Sequence, residues 1–172
     1  MNAFALPGGY MGVHLGLIGV VSTPDELASV LAHELSHITQ RHIARMLAQE
    51  TKTTPLLLGT MLLGLLAARR SPDAAGALLI GGQAAAVQSQ LSFSRDMERE
   101  ADRVGFGLLT SAGFESQGAI GLFDKLIQAA RLNDSGSYPY LRSHPMSTER
   151  MADMAGRAQQ LTAAETSTPP DL

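Results

Sequence analysis

The sequence contains no cysteine. This excludes disulfides, thiolate nucleophiles and cysteine-held zinc, and leaves His, Asp and Glu as the side chains able to bind a metal. The lack also fits an oxidising compartment. Basic residues are few and scattered: 13 Lys and Arg stand against 16 Asp and Glu, for a net charge of −3. Such a chain offers no basic face to nucleic acid, and no nucleic-acid partner is expected. The start, Met1 to Gly9, has neither the basic region nor the long apolar region of a signal peptide. Either a cytoplasmic protein or a missing upstream segment is expected from that. Nor is there an apolar run of the ~20 residues that a bilayer-crossing helix needs. Leu56 to Ala68 covers 13 positions (68 − 56 + 1). It reads as a buried or cleft-covering helix, and no membrane-spanning segment is expected. Internal repeats are absent too.

What is present suits a folded protein. Over 172 residues, 45% are apolar and 17% charged, enough for one domain with its own core. The expected layout is a single catalytic domain over 1–161 and a disordered tail over 162–172. Residues 2–21, with their glycines and a Pro7-Gly8-Gly9 turn, read as a small β-hairpin. Thr23, Pro24 and Glu26 form a capping box with proline at the first helical position. From there a helix carrying Leu27, Val30, Leu31, Leu35 and Ile38 on its apolar side is expected to run to about Glu50 and end before Pro55. The stretch 56–90 reads as a helix pair broken at Arg69 to Asp73, and a further helix should cover Ser94 to Ala112 and stop at Gly113. Helices over 116–132 and 147–161 follow, with a loop from Asn133 to Tyr140.

The first helix carries chemistry. His33-Glu34-Leu35-Ser36-His37 is an HExxH pattern. At ~100° per residue the two histidines share one face, and Glu34 stands about 100° round, able to reach a water on their metal but poorly placed to be its ligand. Zinc so held acidifies water and polarises a scissile carbonyl, while a carboxylate takes the proton and delivers it to the leaving amine. A catalytic zinc wants a third protein ligand. The candidates are His14, His42, His144 and the acids of Asp96 to Asp102. His42 falls on the opposite side of the helix from His33. Gln40 and Ile43 exclude the metzincin extension of the motif. Glu98 and Asp102, four apart, share a face, so one can bind metal and the other hold a ligand histidine in its tautomer. Glu100 points elsewhere. Spacing alone leaves Glu98 and Asp102 open as ligand.

Three motifs then stand in order: HELSH within Leu31 to His42, Glu98-Arg99-Glu100-Ala101-Asp102-Arg103-Val104-Gly105, and Ser143-His144-Pro145 followed by Arg150. Together they resemble peptidase family M48, the zinc metallopeptidases that include HtpX and the CAAX prenyl proteases, and most closely its soluble periplasmic BepA-like branch. The resemblance implies an α+β, mostly α-helical fold of the zincin (gluzincin-like) type, with the small β-hairpin beside the HExxH helix. It implies one Zn2+ per chain on His33, His37 and Glu98, with Glu34 as base and Asp102 supporting a ligand histidine. It places His144 either at the open zinc position or beside the transition state, and gives Arg150 an acid or the substrate as partner. Substrate protein would add along the hairpin as an extended strand, and 56–90 would lie over the cleft.

The implied activity is a zinc endopeptidase acting on misfolded or stalled extracytoplasmic proteins in the periplasm, beside the outer-membrane assembly machinery. The alternative is a latent zinc-binding, chaperone-like module with a closed site. Relatives of that branch carry a signal peptide and often a repeat domain, neither of which stands in this sequence, so a cytoplasmic location stays open.

Overall fold

Gly8 and Gly9 take φ of 90° and 85°, the left-handed values that a tight hairpin turn demands and that side chains with a Cβ resist. They join β1 (Ala3–Leu6) to β2 (Tyr10–Val13) as an antiparallel pair in which Ala3 faces Val13 and Leu6 faces Tyr10. A computed structural model describes residues 2–132 and 139–167 of the chain. After the hairpin come α1 (Leu15–Ile18), α2 (Pro24–Thr39), α3 (His42–Ala68), α4 (Pro72–Ser111), α5 (Gln117–Leu132), α6 (Pro139–Ser143) and α7 (Thr148–Ser167). The mostly helical class with one small N-terminal sheet is as expected.

The chain divides into two compact units, one of residues 1–40 with 98–172 and one of 41–97. In the first, α2 packs most extensively on α5. Its apolar core has two parts. Ala3, Leu17, Val30, Leu122, Leu126 and Tyr140 form one, and Ala32, Leu109, Ala119, Phe123 and Met154 the other. α2 starts as its sequence requires: the Thr23 hydroxyl accepts from the Glu26 amide, and Pro24 stands at the first turn. α4 stops where Gly113, at φ 83°, lets the Phe114 amide return to the Leu109 carbonyl at 3.2 Å.

The second unit is a pair of helical segments, α3 and the first part of α4, joined by a short turn in which the amides of Arg70 and Ser71 bond the Ala67 carbonyl and the Ser71 hydroxyl accepts from the Ala74 amide. Here a Cβ on Gly64 would meet Leu79 Cγ at 2.9 Å, and one on Gly82 would meet Thr60 Oγ1 at 2.5 Å. The two helices approach along small residues.

Several expectations are corrected. The helix expected over Thr23 to Glu50 is two, because Arg41 takes a left-handed φ of 54°, a conformation that costs a non-glycine residue ~1 kcal/mol or more and that no glycine advertised. Pro55 does not end a helix. α3 runs through it, and the hydroxyls of Thr53 and Thr54 bond the Gln49 and Glu50 carbonyls in the preceding turn. α3 is therefore 27 residues long, enough by length and composition to cross a membrane, so the length argument against a span does not hold. Nor is 56–68 a buried helix: Leu56, Leu62, Leu65 and Leu66 are exposed. The helices expected over 56–90 and 94–112 share α4, which is continuous from Pro72 to Ser111. Leu31 and Leu35 are exposed, because α2 turns its polar residues inward instead. Tyr140 belongs to α6 rather than a loop, and α7 extends to Ser167 rather than ending near Leu161. Of the expected loop, 133–138 lie outside the described residues, as do 168–172 of the expected tail.

Candidate active site

The buried face of α2 carries His33, Glu34 and Ser36, with His37 half-buried beside them. It lies against the part of α4 that carries Glu98, Asp102 and Gly105. A Cβ at Gly105 would come within 3.1 Å of the His33 backbone, so only glycine allows α4 this close. That approach puts Asp102 Oδ1 3.1 Å from His33 Nδ1 and Glu98 Oε2 3.4 Å from His33 Nε2. The segment after α6 brings in His144, whose ring stacks on buried Tyr140 at 4.6 Å between centroids.

Four side chains converge. His33 Nε2 lies 3.1 Å from His37 Nε2 and 3.3 Å from His144 Nδ1, while Glu98 Oε1 lies 3.4 Å from His37 Nε2 and 3.1 Å from His144 Nδ1. One ligand atom from each of the four residues fits within 4.8 Å of all the others. Donors bonded tetrahedrally to zinc at ~2.0–2.1 Å sit about 3.3 Å apart, close to the 3.1–3.4 Å of the individual contacts between His33 and His37, His33 and His144, and Glu98 Oε1 with His37 and His144. An all-His and carboxylate donor set at that spacing suits a zinc ion.

Glu34 is beside this group, not in it. His144 Nε2 approaches its Oε1 at 3.2 Å, without the alignment of a hydrogen bond. Burial pushes the Glu34 carboxyl up, against the opposing pull of His144 and His33 and an amide bond from Ala5. A carboxyl raised in this way is suited to taking and returning a proton near neutral pH. In the β1–β2 ladder the His14 amide bonds the Asn2 carbonyl. Alternation then turns the amides and carbonyls of Ala3 and Ala5 to the other edge of β1, the edge that meets Glu34.

The charges around the cluster are partnered. Arg150, from α7, donates from Nε and Nη2 to both Asp102 oxygens at 2.6 and 2.7 Å, and from Nη1 to the Pro145 carbonyl at 2.7 Å. The same Nη1 lies 3.1 Å from Glu98 Oε2. Burial opposes ionisation of Glu98 and Asp102, but His144 and His33 outweigh it at Glu98, holding it well below the usual carboxylate range, and Arg150 and His33 outweigh it at Asp102, which is lowered too. Burial pulls His33 down, yet its bonds to Asp102 and Glu98 carry it up to about 9. A field that holds a proton there also favours a cation.

Of the residues singled out from sequence, His33, Glu34, His37, Glu98, Asp102, His144 and Arg150 meet in this one place. His14 does not: it packs edge-on to Phe4. His42 is buried outside the cluster, and Glu100 is not among its members. Tyr140 was missed. It stands four residues before His144, a helical spacing hidden by reading this stretch as loop.

The sequence matches the profile of peptidase family M48 over residues 1–158. The chain belongs to peptidase family M48. It is 38% identical over 161 residues to the beta-barrel assembly-enhancing protease of Escherichia coli K12, covering 94% of this chain and 33% of that protein. The Yersinia pestis protein of that name is 37% identical over 171 residues, 99% of this chain and 35% of the relative. The mitochondrial metalloendopeptidase OMA1 of Saccharomyces cerevisiae is 30% identical over 157 residues, 90% of this chain and 42% of the relative. The chain thus spans about a third of the length of the bacterial relatives it matches. What it carries is the metalloendopeptidase domain of this M48 family, whose members are generally zinc-dependent.

Proposed function

We propose that this domain is a zinc endopeptidase in which His33, His37 and Glu98 hold one Zn2+, Glu34 is the general base, and His144 fills the fourth position until substrate displaces it. The observation that supports this most is the convergence of four donors, one from each residue within 4.8 Å of the others, with Glu34 alongside. Zinc on these donors supplies Lewis acidity beside a scissile carbonyl. An extended polypeptide adds to the outer edge of β1 by backbone hydrogen bonds, a mode blind to side-chain identity. Glu34 accepts a proton from the water that attacks the carbonyl carbon. The new C–O bond forms, Glu34 returns the proton to the amine nitrogen, and the C–N bond breaks. Asp102 accepts from His33 Nδ1–H and so keeps Nε2 free to bind metal. Arg150 holds Asp102 and the Pro145 carbonyl together, which fixes the segment bearing His144.

Substrate class and location follow from the relatives. Proteins named for enhancing β-barrel assembly support a role in quality control of misfolded or stalled extracytoplasmic proteins, in the periplasm and alongside outer-membrane assembly. The position of His144, within 3.2 Å of both Glu34 and Glu98, favours a second state of the same site in which the domain binds protein without cutting it.

One experiment separates these readings. Casein is incubated with the zinc-loaded protein, with and without a chelator, beside Glu34→Gln and His144→Ala. Cleavage by wild type that both chelation and Glu34→Gln abolish is the expected result, with His144→Ala faster. Cleavage surviving either treatment would sink the assignment; silence from wild type and cleavage by His144→Ala would establish the latent state.

A further inference from the structure

His144 reaches the donor cluster from the end of α6, a helix of only 5 residues. Its amide bonds the Tyr140 carbonyl at 2.8 Å, and Arg150 Nη1 bonds the Pro145 carbonyl at 2.7 Å. Those bonds hold the backbone on both sides of His144 but leave the imidazole free to turn about its own side-chain bonds. Yet the ring takes an orientation that uses both nitrogens. Nδ1 lies 3.3 Å from His33 Nε2 and 3.1 Å from Glu98 Oε1, while Nε2 lies 3.2 Å from Glu34 Oε1. A ring so placed needs its plane fixed.

Three rings surround it. Those of His33 and His37, with centroids at 5.1 Å, meet it steeply at 82° and 58°, and both residues belong to the donor cluster. Tyr140 instead covers its face, at 4.6 Å and 32°, within the ~4.5–7 Å at which aromatic pairs attract. Standing four residues earlier, Tyr140 lies on the same side of the helical turn as His144. Its own ring is held. Only 2% exposed, it packs in the apolar core with Ala3, Val30, Leu122 and Leu126, and a ring in a close-packed core is a fixed reference for whatever stacks on it. We propose that Tyr140 is the positioning residue of His144: its ring sets the imidazole between Glu34 and Glu98 and so governs how readily substrate displaces it. The inference rests on the reading of His144 as occupant of the fourth metal position. Tyr140 is no member of the donor set and acts through His144. Removing an ordinary core ring slows an enzyme, whereas removing the ring that seats a blocking histidine speeds it.

The full chain is compared with Tyr140→Leu, Tyr140→Phe, His144→Ala and the double variant of Tyr140→Leu with His144→Ala. With zinc and casein, Tyr140→Leu should cut about two- to tenfold faster than wild type, the factor that loss of one aromatic pair implies. Tyr140→Phe keeps the ring and should match wild type. Adding Tyr140→Leu to His144→Ala should change nothing further. A Tyr140→Leu variant that slows cleavage by the same factor in both backgrounds overturns the proposal and makes Tyr140 a core filler. A second readout needs neither metal nor turnover. In metal-free protein with isotope-labelled histidine, the His144 ring protons, assigned by their loss in His144→Ala, should resonate upfield of free histidine, return toward it in Tyr140→Leu and stay shifted in Tyr140→Phe. Unshifted His144 protons in wild type overturn the proposal, even where Tyr140→Leu fails to fold. A His144→Ala variant no faster than wild type would instead sink the fourth-position reading, with the ring shifts still deciding whether Tyr140 holds His144.

Discussion

Residues 1–40 with 98–172 bury Glu26, His33, Glu34, Glu98, Asp102, His144 and Arg150, whereas residues 41–97 leave Leu56, Leu62, Leu65, Leu66 and Ile80 in the open. Each unit departs from the usual oil-drop arrangement, and for different reasons. In the first, charge is taken out of water where it meets a partner: Asp102 has Arg150 and His33, Glu98 has three imidazoles, and Glu26 has Lys125 at 2.7 Å, while Glu34 keeps one buried oxygen without a hydrogen bond. In the second, Gly64 and Gly82 bring the helices close, Gly64 against Leu79, and most of the apolar bulk is left outside the seam. Burial of polar groups thus follows their pairing, and exposure of apolar ones follows the close approach of the two helices.

The largest effect tests the buried side of this contrast. Glu34→Gln should lower peptide hydrolysis by about 10²–10⁴-fold with zinc content unchanged by elemental analysis; a rate within about tenfold of wild type would move the proton-transfer role elsewhere. Arg150→Met should cost about 3–5 kcal/mol in urea unfolding, because it strands the Asp102 and Glu98 carboxylates without their cation. A cost near zero would mean that water already reaches them.

Gly64→Leu sharpens the other side. With Leu79 Cγ where the new Cβ must go, overpacking should cost about 1–3 kcal/mol, seen as a lower melting temperature. Glu26→Gln should cost about 1 kcal/mol at pH 7. Burial raises the Glu26 carboxyl, but the Lys125 ammonium and the Ser22 amide more than offset it, so its folded value lies below the ordinary 4.5. A group lowered on folding stabilises above its unfolded value and loses that contribution as pH falls through the folded one. The gap between wild type and Glu26→Gln in urea midpoints should therefore close below pH 4.5. Smallest of all, Leu62→Gln should change stability by less than about 0.5 kcal/mol, since that residue is 64% exposed.

Most of the site was legible because its parts are periodic. HExxH and the Glu98–Asp102 pair declare shared faces through helical geometry, and the capping box at Thr23 placed the first helix on its own evidence. The fold was legible in its elements but not in their joints. Arg41 breaks a helix without a glycine, and Pro55 fails to break one. Leu31 and Leu35 read as core by period, yet the inward face of α2 went to His33, Glu34 and Ser36. Periodicity records which residues share a side, not which side is buried.

The sequence by itself determined which side chains could bind a metal: without cysteine, imidazole and carboxylate remain, and the spacing four apart put His33 and His37 together. Tertiary structure alone decided the rest. Glu98 lies 3.4 Å from the Nε2 atoms of both His33 and His37, Asp102 meets only the Nδ1 side of His33, and Gly105 leaves room for α4 to come this near. Arg150 is paired with Asp102, and His144 reaches His33 from a segment more than a hundred residues away along the chain. Such distances between partners depend on how helices pack, and no local pattern encodes that.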